Sequence, residues 1–212
     1  MKIAMINGSP KVRQSNSAFM LQALEPLIHE EHEVTHFPIR QRALTDVQYI
    51  ELCDMDVLVI ASPLYVDGLP SHLFSMLVTL EKFMKTERNK DIYLYVMMNN
   101  GFYEGHQNQI AIEIIQNWCQ RAGVTFGQGL GQGGGEMLGF LEKVPLGHGP
   151  LRNLGRAIQE LAHHINTQGT GQSRFFSPNF PRFAWKWAAK RSFWEATAKK
   201  NGLKKKDMLR RL

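Results

Sequence analysis

Three observations predict an α/β fold, a parallel sheet covered by helices on both faces, for this sequence of 212 residues. Five short apolar runs alternate with longer amphipathic stretches over the first 170 residues. The third run, VLVIA at 57–61, is apolar throughout, as in a strand buried on both faces. At 43% hydrophobic, the chain is long enough to bury a full core of one domain with an appendage.

The elements follow in order. Residues 3–6 read as the first strand and 17–31 as a helix, with Leu21, Leu24 and Ile28 at helical spacing. A weaker strand at 33–37 precedes a short helix around 47–53. After the strand at 57–61 and the loop SPLYVDGLP, a helix runs from 71 to about 84. A strand at 92–98, a helix at 107–121, a strand at 125–130 and a helix at 151–166 complete five βα units.

Composition removes several classes. The longest apolar run, 57–66, is broken by Ser62 and Pro63 and falls short of the roughly 18 residues of a membrane span. The run KIAMI is too short for a secretory leader, so a cytoplasmic protein is expected. Cys53 and Cys119 stand far apart and fit no ligand spacing, which points to buried thiols and not to a disulfide, zinc or iron-sulfur site. The net charge of +6 is uneven: from Ser173 onward twelve Lys and Arg face Glu195 and Asp207, a balance of +10, whereas residues 1–172 carry −4.

Ligands of parallel sheets bind beyond the carboxyl ends of the strands. The first such loop, NGSPKVRQSNS, is richer than a turn requires. Gly8 permits a sharp exit from the strand, Pro10 stiffens it, and Ser15, Asn16 and Ser17 lie where a helix begins. Hydroxyls of Ser9, Ser15 and Ser17, free amides and the helix dipole suit a phosphate dianion, with Lys11 or Arg13 at the rim; an ordinary capping loop is the plainer alternative. The third loop places Ser62, Pro63, Leu64 and Tyr65 after a buried strand, an apolar wall fit to cover a flat group or to pack on itself. The fourth loop, MNNGFYEGHQN, offers the amides of Asn99 and Asn100, close approach at Gly101, and the rings of Phe102 and Tyr103.

Taken together, INGSP…SNS, ASPLYVDGLPSHL and NNGFYEG resemble the flavodoxin-like NAD(P)H-dependent FMN reductase family over residues 1 to about 168. The resemblance implies a five-stranded parallel sheet in the order 2-1-3-4-5 with helices on both faces. It implies an FMN-binding domain over 1–168, and composition sets apart a basic aromatic helical extension, 169–212. It implies that Ser9, Ser15, Asn16 and Ser17 hold the FMN phosphate, and that Pro63, Leu64, Tyr65 and Val66, with Asn99, Asn100, Gly101 and Phe102, enclose the isoalloxazine ring. NADPH or NADH would serve as donor and a small flavin, quinone, azo or nitro compound as acceptor. No side chain is needed as a nucleophile or base, because bound flavin carries the redox chemistry. An electron carrier of the same fold, without a substrate of its own, is the alternative. Tyr65 and Tyr103 are candidates for shaping the substrate space.

Two further patterns carry less. Gly129, Gly131 and Gly134 spell G-x-G-x-x-G, but neither a following strand nor a placed acid accompanies them, so a loop beside the ligand or a plain turn is expected. His29, His32 and His36 straddle a helix end and a strand start, and no metal site is expected.

Beyond the linker GTGQS, the extension holds three of the four tryptophans. A helix is expected from near Pro181 to Asn201-Gly202. At a regular α period, Phe183, Trp187, Trp194 and Ala198 share one face, and Trp185, Ala189 and Ala196 nearly the opposite one. Two apolar faces suit a clasp between subunits of a homodimer better than a helix lying flat on a membrane. Membrane-surface contact, nucleic-acid attachment and packing on the chain's own core stay open beside it, with nucleic acid not expected as a partner.

Overall fold

The computed structural model describes residues 1–11, 15–39, 43–141 and 143–210, the side chain of residue 209 excepted. Arg13, one of the two candidate rim cations, lies outside the described residues.

Six parallel strands form one sheet in the order β2-β1-β3-β4-β5-β6. They are β1 (Lys2–Asn7), β2 (Glu33–Pro38), β3 (Val57–Pro63), β4 (Tyr93–Asn99), β5 (Thr125–Gln132) and β6 (Arg174–Phe176). The order 2-1-3-4-5 is present, and the expectation of five strands is corrected by β6, which pairs with Leu130–Gln132 at the free edge of β5. Three residues are too few to show a period of two, and their aromatic and cationic makeup reads as part of the extension. The chain forms two compact units, Met1–Pro178 and Asn179–Leu212.

Successive strand residues point to opposite faces, and both faces are covered. Ala4, Ile6, Leu58, Ile60, Leu94 and Val96 face one core with α2 (Asp46–Cys53), α3 (Ser71–Thr86) and α4 (Gln109–Ala122). Ile3, Met5, Val57, Val59, Tyr95 and Met97 face the other with α1 (Asn16–Leu24) and α5 (Arg152–Thr167). Each buried Leu or Ile contributes roughly 1.5–3 kcal/mol relative to exposure, so these two layers dominate stability. Polar groups sunk into them are paired, as two examples show: Trp118 Nε1 donates to the Leu77 carbonyl at 2.8 Å, and the Tyr95 hydroxyl lies 2.8 Å from the carbonyls of His164 and Gly169.

The first helix is shorter than its periodicity predicts. It stops at Leu24 and continues as a 3-10 turn, Glu25–Leu27, because Pro26 has no N–H to donate and its ring obstructs the preceding turn. The glycine pattern is resolved as packing. Gly129 and Gly131 belong to β5, where a Cβ would come 2.6 Å from Ile112 and 2.6 Å from the Phe175 ring. Gly134 has φ +64° and turns the chain out of the sheet. Cys53 and Cys119 are buried free thiols, pushed up to about 11 and about 12 by burial, and are therefore unreactive at neutral pH.

In the second unit, α6 (Arg182–Ala188), a π-helix (Ala189–Glu195) and α7 (Ala196–Lys200) run without a break. Gly202, at φ +72°, ends the run as its neighbour Leu203 donates back to the Ala198 carbonyl at 2.9 Å. Among the described residues, no helix is long and apolar enough to cross a membrane.

Candidate functional site

The strand order reverses beside β1, which has β2 on one side and β3 on the other, so the loops leaving β1 and β3 diverge and open a crevice. A cavity of 210 Å³ occupies that end of the sheet. Ser9, Lys11, Ser15, Asn16 and Ser17 line it from the first loop, Pro63, Leu64 and Tyr65 from the third, Asn99, Asn100 and Gly101 from the fourth, and Glu136 from the segment after β5.

The first loop is pinned at its start. Gly8 donates to the Ala61 carbonyl at 2.8 Å, and a Cβ there would lie 2.9 Å from Leu73 and 3.2 Å from Ser62, so glycine lets the loop lie against β3 and α3 without moving those side chains. Ser9 donates its amide to Asn7 Oδ1 at 3.0 Å, and its hydroxyl accepts from the Lys11 amide at 3.3 Å. Ser15 caps α1, with its hydroxyl accepting from the Ala18 amide at 3.0 Å. That bond satisfies one of the unpaired amides of the first turn, and those of Asn16 and Ser17 are the ones an anion would meet. The first turn holds no acidic residue to oppose it.

Asn99 joins the loops. Its Nδ2 donates to Ser17 Oγ and to the Ser62 carbonyl, each at 3.2 Å, in a buried setting. Leu64 extends the β3–β4 ladder by donating to the Asn99 carbonyl at 2.8 Å. Asn100 is 4% exposed; its Nδ2 donates to the Glu104 carbonyl at 3.2 Å, while its Oδ1 is buried and accepts no hydrogen bond. An unpaired buried acceptor costs about 1–3 kcal/mol, and the residue that carries it lines the cavity. The serines, the free helix amides and this acceptor are the donor and acceptor set that a phosphate joined to an amide-bearing ring requires, so the residues present fit FMN.

Val66 and Phe102, expected at the ring, do not line the cavity, although each follows a residue that does. Tyr65 and Gly68 exchange backbone hydrogen bonds of 3.0 Å across Val66 and Asp67, whose φ values of 49° and 56° define a tight turn of the primed type. A β-branched residue is strained there, and Val66 is fully exposed at the tip. Phe102 is 55% and Tyr65 44% exposed, which leaves apolar surface beside the opening.

Glu136 is the lining residue that sequence reasoning missed. It is the second residue of a 3-10 turn, Gly135–Phe140, and its carboxylate stands beside Gly101, where a Cβ would lie 3.5 Å from Oε1. Gly133 donates to the Phe176 carbonyl of β6 at 2.9 Å and Gly135 to the Asn100 carbonyl at 2.6 Å, so the added strand and the fourth loop hold this segment in place. Its place just past the carboxyl end of β5 is a position, not a signal, because a charged residue after a glycine run also fits a solvated turn. Away from the cavity, His29, Glu31 and His32 place ligand-capable atoms within 4.8 Å of one another, whereas His36 pairs with Glu25 at 3.0 Å.

The sheet order and the crevice at its carboxyl edge define a flavodoxin-like α/β protein. Solved structures of that class are similar to this chain. An NADH:FMN oxidoreductase in its apo form matches with a TM-score of 0.59 and 14% identity, over 86% of this chain and 97% of the other. An NADPH-quinone reductase from P. pentosaceus matches with a TM-score of 0.58 and 16% identity, over 76% and 98%. An FMN-dependent NADH-azoreductase from Bacillus anthracis str. Ames Ancestor, in complex with FMN, matches with a TM-score of 0.55 and 14% identity, over 78% and 100%. At these identities the likeness is one of fold. No family model and no curated protein matches the chain.

Proposed function

We propose that this protein is an FMN-dependent NAD(P)H oxidoreductase that reduces a small acceptor such as a flavin, quinone, azo or nitro compound. The observation that carries the proposal is the convergence in one cavity of a serine-rich helix start, an apolar loop and an asparagine pair with an unpaired buried acceptor. Ser9, Ser15, Asn16 and Ser17 would hold the phosphate, with Lys11 adding positive charge at the mouth. Pro63, Leu64 and Tyr65 would lie against the ring, and Asn99, Asn100 and Gly101 against its polar edge. FMN, when bound, would supply two-electron transfer from NADH or NADPH to the acceptor. The chain's own work is to bind, orient and exclude water. The exposed faces of Tyr65 and Phe102 give a flat donor or acceptor apolar surface to cover.

The test is the visible spectrum of the purified protein, identification of any released chromophore, and rapid mixing of the loaded protein with NADPH and NADH under anaerobic conditions. Direct bleaching of the visible absorption, as a flavin gives on two-electron reduction, is expected. A chromophore reduced only through a separate reductase would mark an electron carrier, and a protein that takes up no FMN would remove both readings.

A further inference from the structure

We propose that residues 179–212 form an attachment surface for the headgroup region of an anionic lipid bilayer. This segment carries eleven Lys and Arg against Glu195 and Asp207, a balance of +9, while residues 1–178 carry −3. Aromatic rings interleave with those cations. Phe183 is 78% exposed and Trp187 and Trp194 are each 62% exposed, with Phe193 and Leu203 also in solvent. Apolar surface of that size calls for a partner.

Trp185, which the sequence places on the opposite face, is partly buried. One aromatic set and not two is therefore offered to a partner, which removes the objection that a two-faced helix raises against lying flat. The π-helix carries Arg191, Phe193 and Trp194 together; such segments are rare and cluster at functional sites.

Ring geometry chooses among anionic partners. The Arg191 guanidinium lies 5.2 Å from the centroid of the Trp187 ring, and Phe193 meets Trp194 edge to face at 5.4 Å and 88°. Rings engaged in this way have less π-surface for a stacked nucleobase, the contact by which single strands are held. They keep apolar edges for shallow burial at headgroup depth, where Trp and Phe beside Lys and Arg settle. Pairing of two such extensions would set +9 against +9.

The test mixes the full chain with sedimenting vesicles of phosphatidylcholine, or of phosphatidylcholine containing about one third phosphatidylglycerol. Partitioning to the anionic vesicles should be about tenfold or more greater, should fall steeply with salt, and should shift tryptophan emission to the blue. Trp187→Ala with Trp194→Ala should lower partitioning about tenfold, and Lys186→Gln, Lys190→Gln and Arg191→Gln together should flatten its salt dependence. Unchanged circular dichroism confirms that these surface variants fold. Equal partitioning to the two vesicle types, or full binding by both variants, overturns the proposal. So does a chain that ignores anionic vesicles, whether it binds a single-stranded oligonucleotide or dimerises through residues 179–212 instead. None of these readouts depends on flavin, so they stand or fall apart from the redox reading.

Discussion

The Ser17 hydroxyl has two roles, since it accepts from Asn99 Nδ2 at 3.2 Å and lines the cavity at the start of α1. Ser17→Ala removes one of the two acceptors of the Asn99 amide and, on the proposed reading, a phosphate donor. It should lower stability by about 1–2 kcal/mol in chemical denaturation and weaken FMN binding about tenfold in a fluorescence titration. A variant with wild-type affinity for FMN would place the phosphate elsewhere. Glu136 acts on a different property. With FMN bound as proposed, an exposed carboxylate at this position would oppose the negative charge of reduced flavin by about 1 kcal/mol, so Glu136→Gln should raise the two-electron midpoint potential by roughly 20 mV. A potential that does not move, or falls, in spectroelectrochemical titration would show that the carboxylate does not face the ring. Glu136 was illegible in the sequence because a charged residue after a glycine run reads as an ordinary solvated turn. Ser9, Ser15, Ser17, Asn99 and Asn100 were legible as lining residues because they lie at the carboxyl ends of buried strands or at the helix start that follows, although Ser15 also serves as an ordinary helix cap.

Among the elements, the sheet has a charged, ion-paired end and a cavity end. Where β1 and β3 begin, Asp56 accepts from the Lys2 amide at 2.7 Å and from Lys90 Nζ at 2.8 Å, and Lys2 Nζ meets Asp54 at 2.6 Å. Burial pushes the Asp56 carboxyl up, but the hydrogen bonds from Lys90 and Lys2 and the charge of Lys90 outweigh it, and the group titrates below its ordinary range. A depressed carboxyl adds stability above its unfolded pKa of about 4 and loses it as the pH falls below that value. Asp56→Asn should therefore cost about 1 kcal/mol at neutral pH and flatten the acid limb of the stability profile below about pH 4. FMN affinity should not change, because the substitution lies at the opposite end of β3 from the cavity. Five strands and five helices were readable from periodicity alone, since each buries several residues at a fixed spacing. β6 was not, because three residues carry no period and only pairing with β5 makes them a strand. The early end of α1 was written in the sequence as Pro26, a local signal that the apolar spacing of Leu21, Leu24 and Ile28 overrode.

For the whole molecule, charge and shape divide between two units: a sheet of six strands with a polar crevice, and a short, strongly basic helical segment with exposed rings. The position of the crevice was legible, because the order of strands fixes where loops diverge. The role of the second unit was not, because an amphipathic wheel assumes a regular α period that the π-helix interrupts. In the proposed function, the first loop of this fold recognises a phosphate and the later loops a ring joined to it. Titration of flavin-free protein with FMN and with riboflavin, followed by fluorescence, tests it most directly. FMN should bind at one site per chain about a hundredfold more tightly than riboflavin, as two or three charge-assisted hydrogen bonds to the phosphate require. Equal affinity for the two flavins, or none for either, would contradict the account.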